Sequence, residues 1–188
     1  MGSVAPDPTH PPGAGFGSIR TRGGDHVKIR PYREADTIAV GRLIESTYRR
    51  FNLSHADPEE QDRLLGPFRH ARSDDPEHRA AIAAVIRSPI LYVAEDEDEI
   101  VGVLRGREGV LASLFVDGRR HRRGIGRALV ERFEANCRAL GCHKIRVAAT
   151  LFAAPFYHAL GYQRTTGVRP CKSFDGTDLK YQPMRKCL

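Results

Sequence analysis

The stretch that decides the fold runs Leu114-Phe115-Val116-Asp117-Gly118-Arg119-Arg120-His121-Arg122-Arg123-Gly124-Ile125-Gly126-Arg127-Ala128-Leu129-Val130. Its first three residues end an apolar run that reads as a strand, and a basic, glycine-bearing turn then opens into a helix. From Ile125 onward, apolar or small residues recur at Ala128, Leu129, Phe133, Cys137 and Leu140. This is helical spacing, with Glu131, Arg132 and Glu134 expected on the opposite, polar side. The first amides of a helix lack intrahelical partners and sit at its positive end. Glycines at 124 and 126 let a ligand come close to the backbone with no Cβ in the way. Arg119, Arg120, Arg122, Arg123 and Arg127 share the same turn. The pattern predicts a seat for a phosphate-rich ligand.

Working outward, Val27–Arg30 alternates as a strand that Pro31 ends, and a helix follows from about Arg33 with Ile38, Val40, Leu43, Ile44 and Tyr48 on one face. Residues 51–75 are polar and mixed, with a short helix expected over 58–68. A further helix covers 76–87 and carries Ala80, Ile82, Ala83, Val85 and Ile86. Residues 89–94 and 100–105 read as a strand pair whose turn is the acidic run Glu95-Asp96-Glu97-Asp98-Glu99, expected to be a solvated tip because like charges repel. Residues 110–116 are apolar on both faces, as a central strand should be. The long helix, 124–140, stops at Gly141. A strand at 144–149, a helix at 153–160 closed by Gly161, and strands near 162–170 and 179–186 around the turn pair Asp175-Gly176 complete the chain. The order β-α-α-β-β-β-α-β-α-β-β predicts an α/β (α+β) mixed sheet of about seven strands with helices on both faces.

With 188 residues, one domain over 27–188 is the simplest organisation. Residues 1–26 are rich in proline and glycine and poor in apolar residues, the composition of a disordered tail. No apolar stretch suits a secretion signal or a membrane span, so a soluble, cytoplasmic protein without a membrane partner is expected. Cys137, Cys142, Cys171 and Cys187 lack the spacing of a zinc or redox motif, so free thiols and no metal are expected. The net charge of +7 is uneven. Residues 1–100 hold 13 basic and 17 acidic residues, a net of −4, and residues 101–188 hold 17 and 6, a net of +11. An anionic partner is implied. Against nucleic acid, the arginines concentrate in one turn and no aromatic-rich strand motif accompanies them.

This order of elements, with its basic glycine turn, resembles the GCN5-related N-acetyltransferase (GNAT) superfamily over residues 27–188. Two motifs carry the resemblance. One is Leu114–Val116 through Arg122-Arg123-Gly124-Ile125-Gly126-Arg127, similar to the family's acetyl-CoA signature. The other is Ala149 through Tyr162, similar to its final pattern Phe-Tyr-x-x-x-Gly-[Phe/Tyr], here Phe156-Tyr157 through Gly161-Tyr162. The resemblance implies a GNAT-like acyl-CoA N-acyltransferase fold and acetyl-CoA as co-substrate. It also implies a pyrophosphate held on the amides of Arg122, Arg123, Gly124, Ile125, Gly126 and Arg127. The pantetheine arm would pair with the edge of Leu114, Phe115 and Val116, where strands 110–116 and 144–149 splay apart. Tyr157 would act as the general acid toward the leaving thiolate. Three positions depart from the family pattern: His121 where Gln or Arg is usual, Gly118 where proline often stands, and Phe152 where an Asn contacts the coenzyme in relatives.

The implied reaction is direct attack of a primary amine in a ternary complex. The base that takes the amine's proton is open. Ser113 is too weak a base, and Glu108, His158 and Glu95 are candidates that could equally be a loop charge, a helix-surface residue and part of a hairpin tip. The acidic connection carrying Asp57, Glu59, Glu60, Asp62, Asp74 and Asp75 would suit a cationic acceptor, and simple solvation accounts for it as well. The acceptor, a small molecule or a protein amine, is not legible, and neither is oligomeric state, a homodimer being one option. A non-catalytic acetyl-CoA sensor and a basic nucleic-acid-binding domain are the competing readings.

Overall fold

A computed structural model describes residues 17–20, 26–174 and 176–188. The chain forms a single mixed sheet. Its strands are β1 (Gly17–Arg20), β2 (His26–Pro31), β3 (Ile90–Asp96), β4 (Glu99–Arg107), β5 (Val110–Val116), β6 (Lys144–Thr150), β7 (Gln163–Arg164), β8 (Arg169–Ser173) and β9 (Gly176–Cys187). The helices are α1 (Thr37–Phe51), α2 (Pro58–Leu65), α3 (Pro76–Ile86), α4 (Ile125–Ala139) and α5 (Ala154–Ala159). Spatial order is β1-β2-β3-β4-β5-β6-β9-β7, with β8 on β9, and every pairing is antiparallel except β5 with β6.

Among the described residues, nine strands stand where about seven were expected. β1 falls inside the proline- and glycine-rich stretch 1–26 and pairs with β2 through its backbone, which composition does not report. The rest of that stretch before His26 lies outside the described residues, as does Asp175 of the expected turn pair. The expected strand near 162–170 divides into β7 and β8, and the Thr165 amide between them bonds Pro183 O at 3.1 Å.

Helices cover both faces, each with its own core. Val40, Leu43 and Ile44 of α1, with Leu64, Leu65, Ile82 and Ile86, pack against Leu91, Val93 and Val103 on one face. Ile125, Leu129, Phe133 and Cys137 of α4, with Tyr157 of α5, pack against Tyr92, Leu104, Ile145, Val147 and Met184 on the other. The acidic residues of the 51–75 connection do local work. Asp57 and Asp75 cap α2 and α3 by accepting from the amides of Glu60 and Glu77, each with proline as the first helical residue. Asp62 accepts from Arg49 at 2.6 Å and Asp74 from Arg79 at 2.8 Å. Four of the six acidic side chains of the connection therefore have partners within the fold. Among the described residues no helix is long and apolar enough to cross a membrane.

Two orientations differ from the periodicity. Glu134 is buried on α4, whereas Leu140, expected to pack, is 41% exposed. The acidic run is more than a solvated tip: Glu95 bonds Arg30, Asp96 is buried and pairs with Arg120 at 2.9 Å, and Glu99 pairs with Arg119 at 2.8 Å. The run reaches back to cations placed 65, 24 and 20 residues away along the chain, contacts that no local pattern reports.

Candidate active site

β5 and β6 pair only at Val110↔Arg146 and Leu111↔Val147, and the ladder stops there. The opposite neighbour changes register at the same level. Leu111 faces Gly106 and Ser113 faces Arg105, so Ala112 is an unpaired bulge residue. A bulge bends and twists its strand, and here it does so where β5 leaves β6. Beyond it, Ser113, Leu114, Phe115 and Val116 are only half-buried, unlike the fully covered central strand that their composition suggests. The missing cover is a cleft along one edge of β5.

The cleft leads to the start of α4. Gly124 is its N-cap, with φ +93° and no side-chain cap, in contrast to the Asp-capped α2 and α3. A left-handed φ is available to glycine without the Cβ–carbonyl clash other residues meet. A Cβ on Gly124 would find nothing within 4 Å, so the backbone there is open on its outer side. Gly126 faces inward: its Cβ would come 3.3 Å from Phe156 Cζ and 3.6 Å from Val116 Cγ2. The structure thus brings the turn 122–127, the end of β5 and α5 together.

Four of the five arginines of the turn divide into two groups. Arg119 is engaged by Asp117 and Glu99, and Arg120 by Asp96 and Glu99. These brace the turn against the β3–β4 hairpin. Arg122 and Arg127 are exposed beside Gly124, and Arg127 approaches Glu131 at 3.7 Å. Asp117, hydrogen bonded by the Arg119 side chain and amide, is held below the usual carboxylate range despite partial burial.

Tyr157 is 3% exposed, packed edge-on between Phe156 at 5.1 Å and Tyr162 at 5.5 Å. Burial pushes its phenol well above the ordinary tyrosine range, which keeps it protonated and a donor at neutral pH. Of the three candidate bases, Glu95 is claimed by Arg30 at 2.8 Å, which holds it below the ordinary glutamate range. Glu108, between β4 and β5, and His158, on α5, are exposed. Burial pushes the Cys137 thiol up to about 11, which disfavours a cysteine-linked acyl group. Cys137, Cys142 and Cys187 are free thiols, and among the described residues no three His, Cys, Asp or Glu side chains gather as a metal would need.

His121 is half-buried. Its Nε2–H donates to Val116 O at 3.0 Å, and its ring stacks on Phe51 at 4.8 Å. Phe51 in turn stacks on Phe152 at 5.2 Å, and Gly118 lies against its ring edge. All three positions that depart from the family pattern therefore meet at Phe51. Phe51 closes the first helix, and the sequence carries no signal for its role because it is 70 residues from His121.

Comparison with known proteins agrees with this architecture. A GCN5-related N-acetyltransferase structure from Rhodopseudomonas palustris superposes with a TM-score of 0.68 at 19% identity, covering 85% of this chain and 94% of its own. The PaiA N-acetyltransferase of Thermoplasma acidophilum, solved with coenzyme A, gives 0.66 at 13% identity over 86% and 99%. A putative acetyltransferase from Salmonella typhimurium, solved with its cofactor acetyl-CoA, gives 0.55 at 18% over 86% and 94%. At such identities these likenesses speak for the fold. The acetyltransferase (GNAT) domain model matches residues 67–188, which take in the cleft, the uncapped helix and Tyr157. By that match over more than half of its length, the chain belongs to the GNAT acetyltransferase family.

Proposed function

We propose that the protein is an acetyl-CoA-dependent N-acetyltransferase that passes an acetyl group to a primary amine by direct attack in a ternary complex, residues 27–188 forming the catalytic unit. The observation that carries this reading is the two-pair β5–β6 ladder, which leaves a strand edge open beside a helix start that no side chain caps. The strand edge suits an extended amide-bearing arm, and the helix start suits a diphosphate. The coenzyme would supply an acetyl group activated as a thioester.

In this reading Leu114, Phe115 and Val116 offer backbone groups to the arm. The amides of Arg122, Arg123, Gly124, Ile125, Gly126 and Arg127 hold the pyrophosphate. A β5 amide directed at the thioester carbonyl would stabilise the oxyanion that develops as the amine lone pair attacks. Tyr157 then gives its proton to the departing sulfur. The raised Cys137 thiol favours direct transfer over a cysteine-linked intermediate.

A panel of amines assayed for free thiol release tests the proposal. Amine-dependent thiol release supports it. Tight acetyl-CoA binding with no release for any amine would replace it with the sensor reading.

A further inference from the structure

One aromatic ring lies across the mouth of the cleft. Phe51, the last residue of α1, is sandwiched between His121 at 4.8 Å and Phe152 at 5.2 Å, with the two ring pairs 25° and 20° from parallel. His121 is tied to the far end of β5 through Val116 O, and Phe152 stands two residues past the end of β6. These are the two strands that separate after Leu111 and Val147. The ring of Phe51 thus bridges the ends of the diverging pair. Its seat is shaped for it: a Cβ on Gly118 would come 2.8 Å from Phe51 Cζ, and the Arg50 guanidinium lies 5.2 Å from the ring centre.

The direction of the bridge matters. α1 packs in the core on one sheet face and α4 in the core on the other. A ligand seated at the start of α4 enters from the α4 side, and a nucleophile coming from the α1 side meets Phe51 first. Phe152 is 59% exposed, so the stack is an edge contact that an incoming group could displace, unlike a ring buried in a core.

Building on the acetyltransferase reading, we propose that Phe51 is the gate on the acceptor side of the cleft, closing it to water until an amine displaces the ring. Without the ring, water reaches the thioester. Its oxygen attacks the carbonyl carbon and the carbon–sulfur bond breaks with its electron pair going to sulfur. Acetate and coenzyme A thiol are released, with one proton passing to solvent. Excluding water from a reactive acyl donor is what a closing side chain achieves in group-transfer enzymes.

The test uses the full chain with acetyl-CoA as the probe. Affinity is measured by calorimetry, and thiol release without any amine is measured for wild type, Phe51→Ala and Phe152→Ala. The gate predicts affinities within about twofold of wild type and amine-independent thiol release raised about tenfold or more in both variants. Intact affinity with unchanged thiol release overturns it. Loss of affinity in both variants also overturns it, by assigning the stack to the coenzyme seat. Should Phe51→Ala fail to fold, Phe152→Ala carries the same comparison at an exposed site. If wild type itself does not bind acetyl-CoA, the coenzyme reading fails and the gate falls with it. If wild type binds and only the leak is absent, the gate alone is wrong.

Discussion

The ammonium of Lys186 donates to both carboxylate oxygens of Glu134, at 2.8 and 2.7 Å, joining the last strand to the buried side of α4. Arg138 approaches the same carboxylate at 3.5 Å, and Lys186 also lies 5.6 Å from the Tyr162 ring centre. Glu134 is 3% exposed, so the pair settles a charge that could not stay buried alone. Lys186→Met is expected to cost about 2–4 kcal/mol, with the residual Arg138 contact keeping it below the full penalty of an orphaned charge. Glu134→Leu combined with Lys186→Met is expected to recover most of that loss. Urea denaturation of the single and double variants reads both. A double variant no better than Lys186→Met would show that the pair contributes more than charge neutralisation.

Tyr157→Phe removes one hydroxyl from a packed ring and leaves the packing with Phe156 and Tyr162. If the phenol is the general acid, kcat should fall about 10²-fold or more while acetyl-CoA affinity stays near wild type. Steady-state kinetics beside a binding titration separates the two quantities. A kcat within threefold of wild type would return Tyr157 to a packing role.

Alkaline pH bears on the same residue. Tyr157 and Tyr162 are both pushed above the ordinary value of 10.0, chiefly by burial. Their neutral forms are favoured in the fold, so their contribution to stability is complete below that ordinary value. It is lost as pH climbs from there toward the folded-state values. Melting temperature followed from pH 8 to 11 should drop above about pH 10, and Tyr162→Phe should blunt the drop. An unchanged slope in that variant would contradict the assignment.

At the acid end, Arg30 holds two carboxylates. It donates to Asp36 at 2.7 and 2.9 Å and to Glu95 at 3.0 and 2.8 Å. Burial pushes Asp36 upward, but hydrogen bonds from Arg30 and from the Arg33 amide more than reverse this. For Glu95 the Arg30 bond is the largest influence, and it lowers the value. Both groups lie below their ordinary values of 3.8 and 4.5, so their stabilisation is present above that range and is lost progressively as pH falls from there through the lower folded-state values. The stability gap between wild type and Arg30→Met should therefore be wide at pH 7 and narrow by about pH 3. Chemical denaturation at the two pH values measures it. A gap independent of pH would mean that the arginine acts through packing alone.

Gly124→Ala isolates backbone conformation, because the new methyl would meet nothing within 4 Å. The cost is that of a left-handed φ for alanine, about 1–2 kcal/mol, or roughly 2–8 °C in melting temperature for a chain of this size. If the turn amides hold a diphosphate, acetyl-CoA affinity should fall together with stability. Stability loss with undiminished affinity would move the diphosphate elsewhere.

What the sequence disclosed is uneven, for physical reasons. The run 110–140 was legible because its signals are local. Strand 110–116 was placed at its observed limits, and the helix read as 124–140 occupies 125–139, since apolar period and glycine punctuation sit within a few residues of each other. The coming apart of β5 and β6, implied by the family likeness, is observed. Features set by distant partners were not legible. Glu134 looked like a surface residue because Lys186, its reason for burial, is 52 positions away. Asp96 and Glu99 looked solvated because Arg120 and Arg119 come from a different element. Phe51 gave no hint, since a phenylalanine ending an amphipathic helix is ordinary until His121 and Phe152 are placed on either side of its ring.

The brevity of the β5–β6 ladder also governs how the molecule can flex. Seven residue pairs join β6 to β9 and six join β4 to β5, against two at this junction. The sheet is mechanically two stiff plates meeting along a short seam, with Tyr92 and Leu104 on one plate and Ile145 and Val147 on the other sharing a single apolar core with α4. Rocking one plate against the other breaks few backbone hydrogen bonds, so compliance is concentrated at the cleft and the rest of the scaffold stays rigid. In the proposed acetyltransferase reading, a width that adjusts this cheaply would let one slot accommodate both a bulky thioester and its slimmer thiol product.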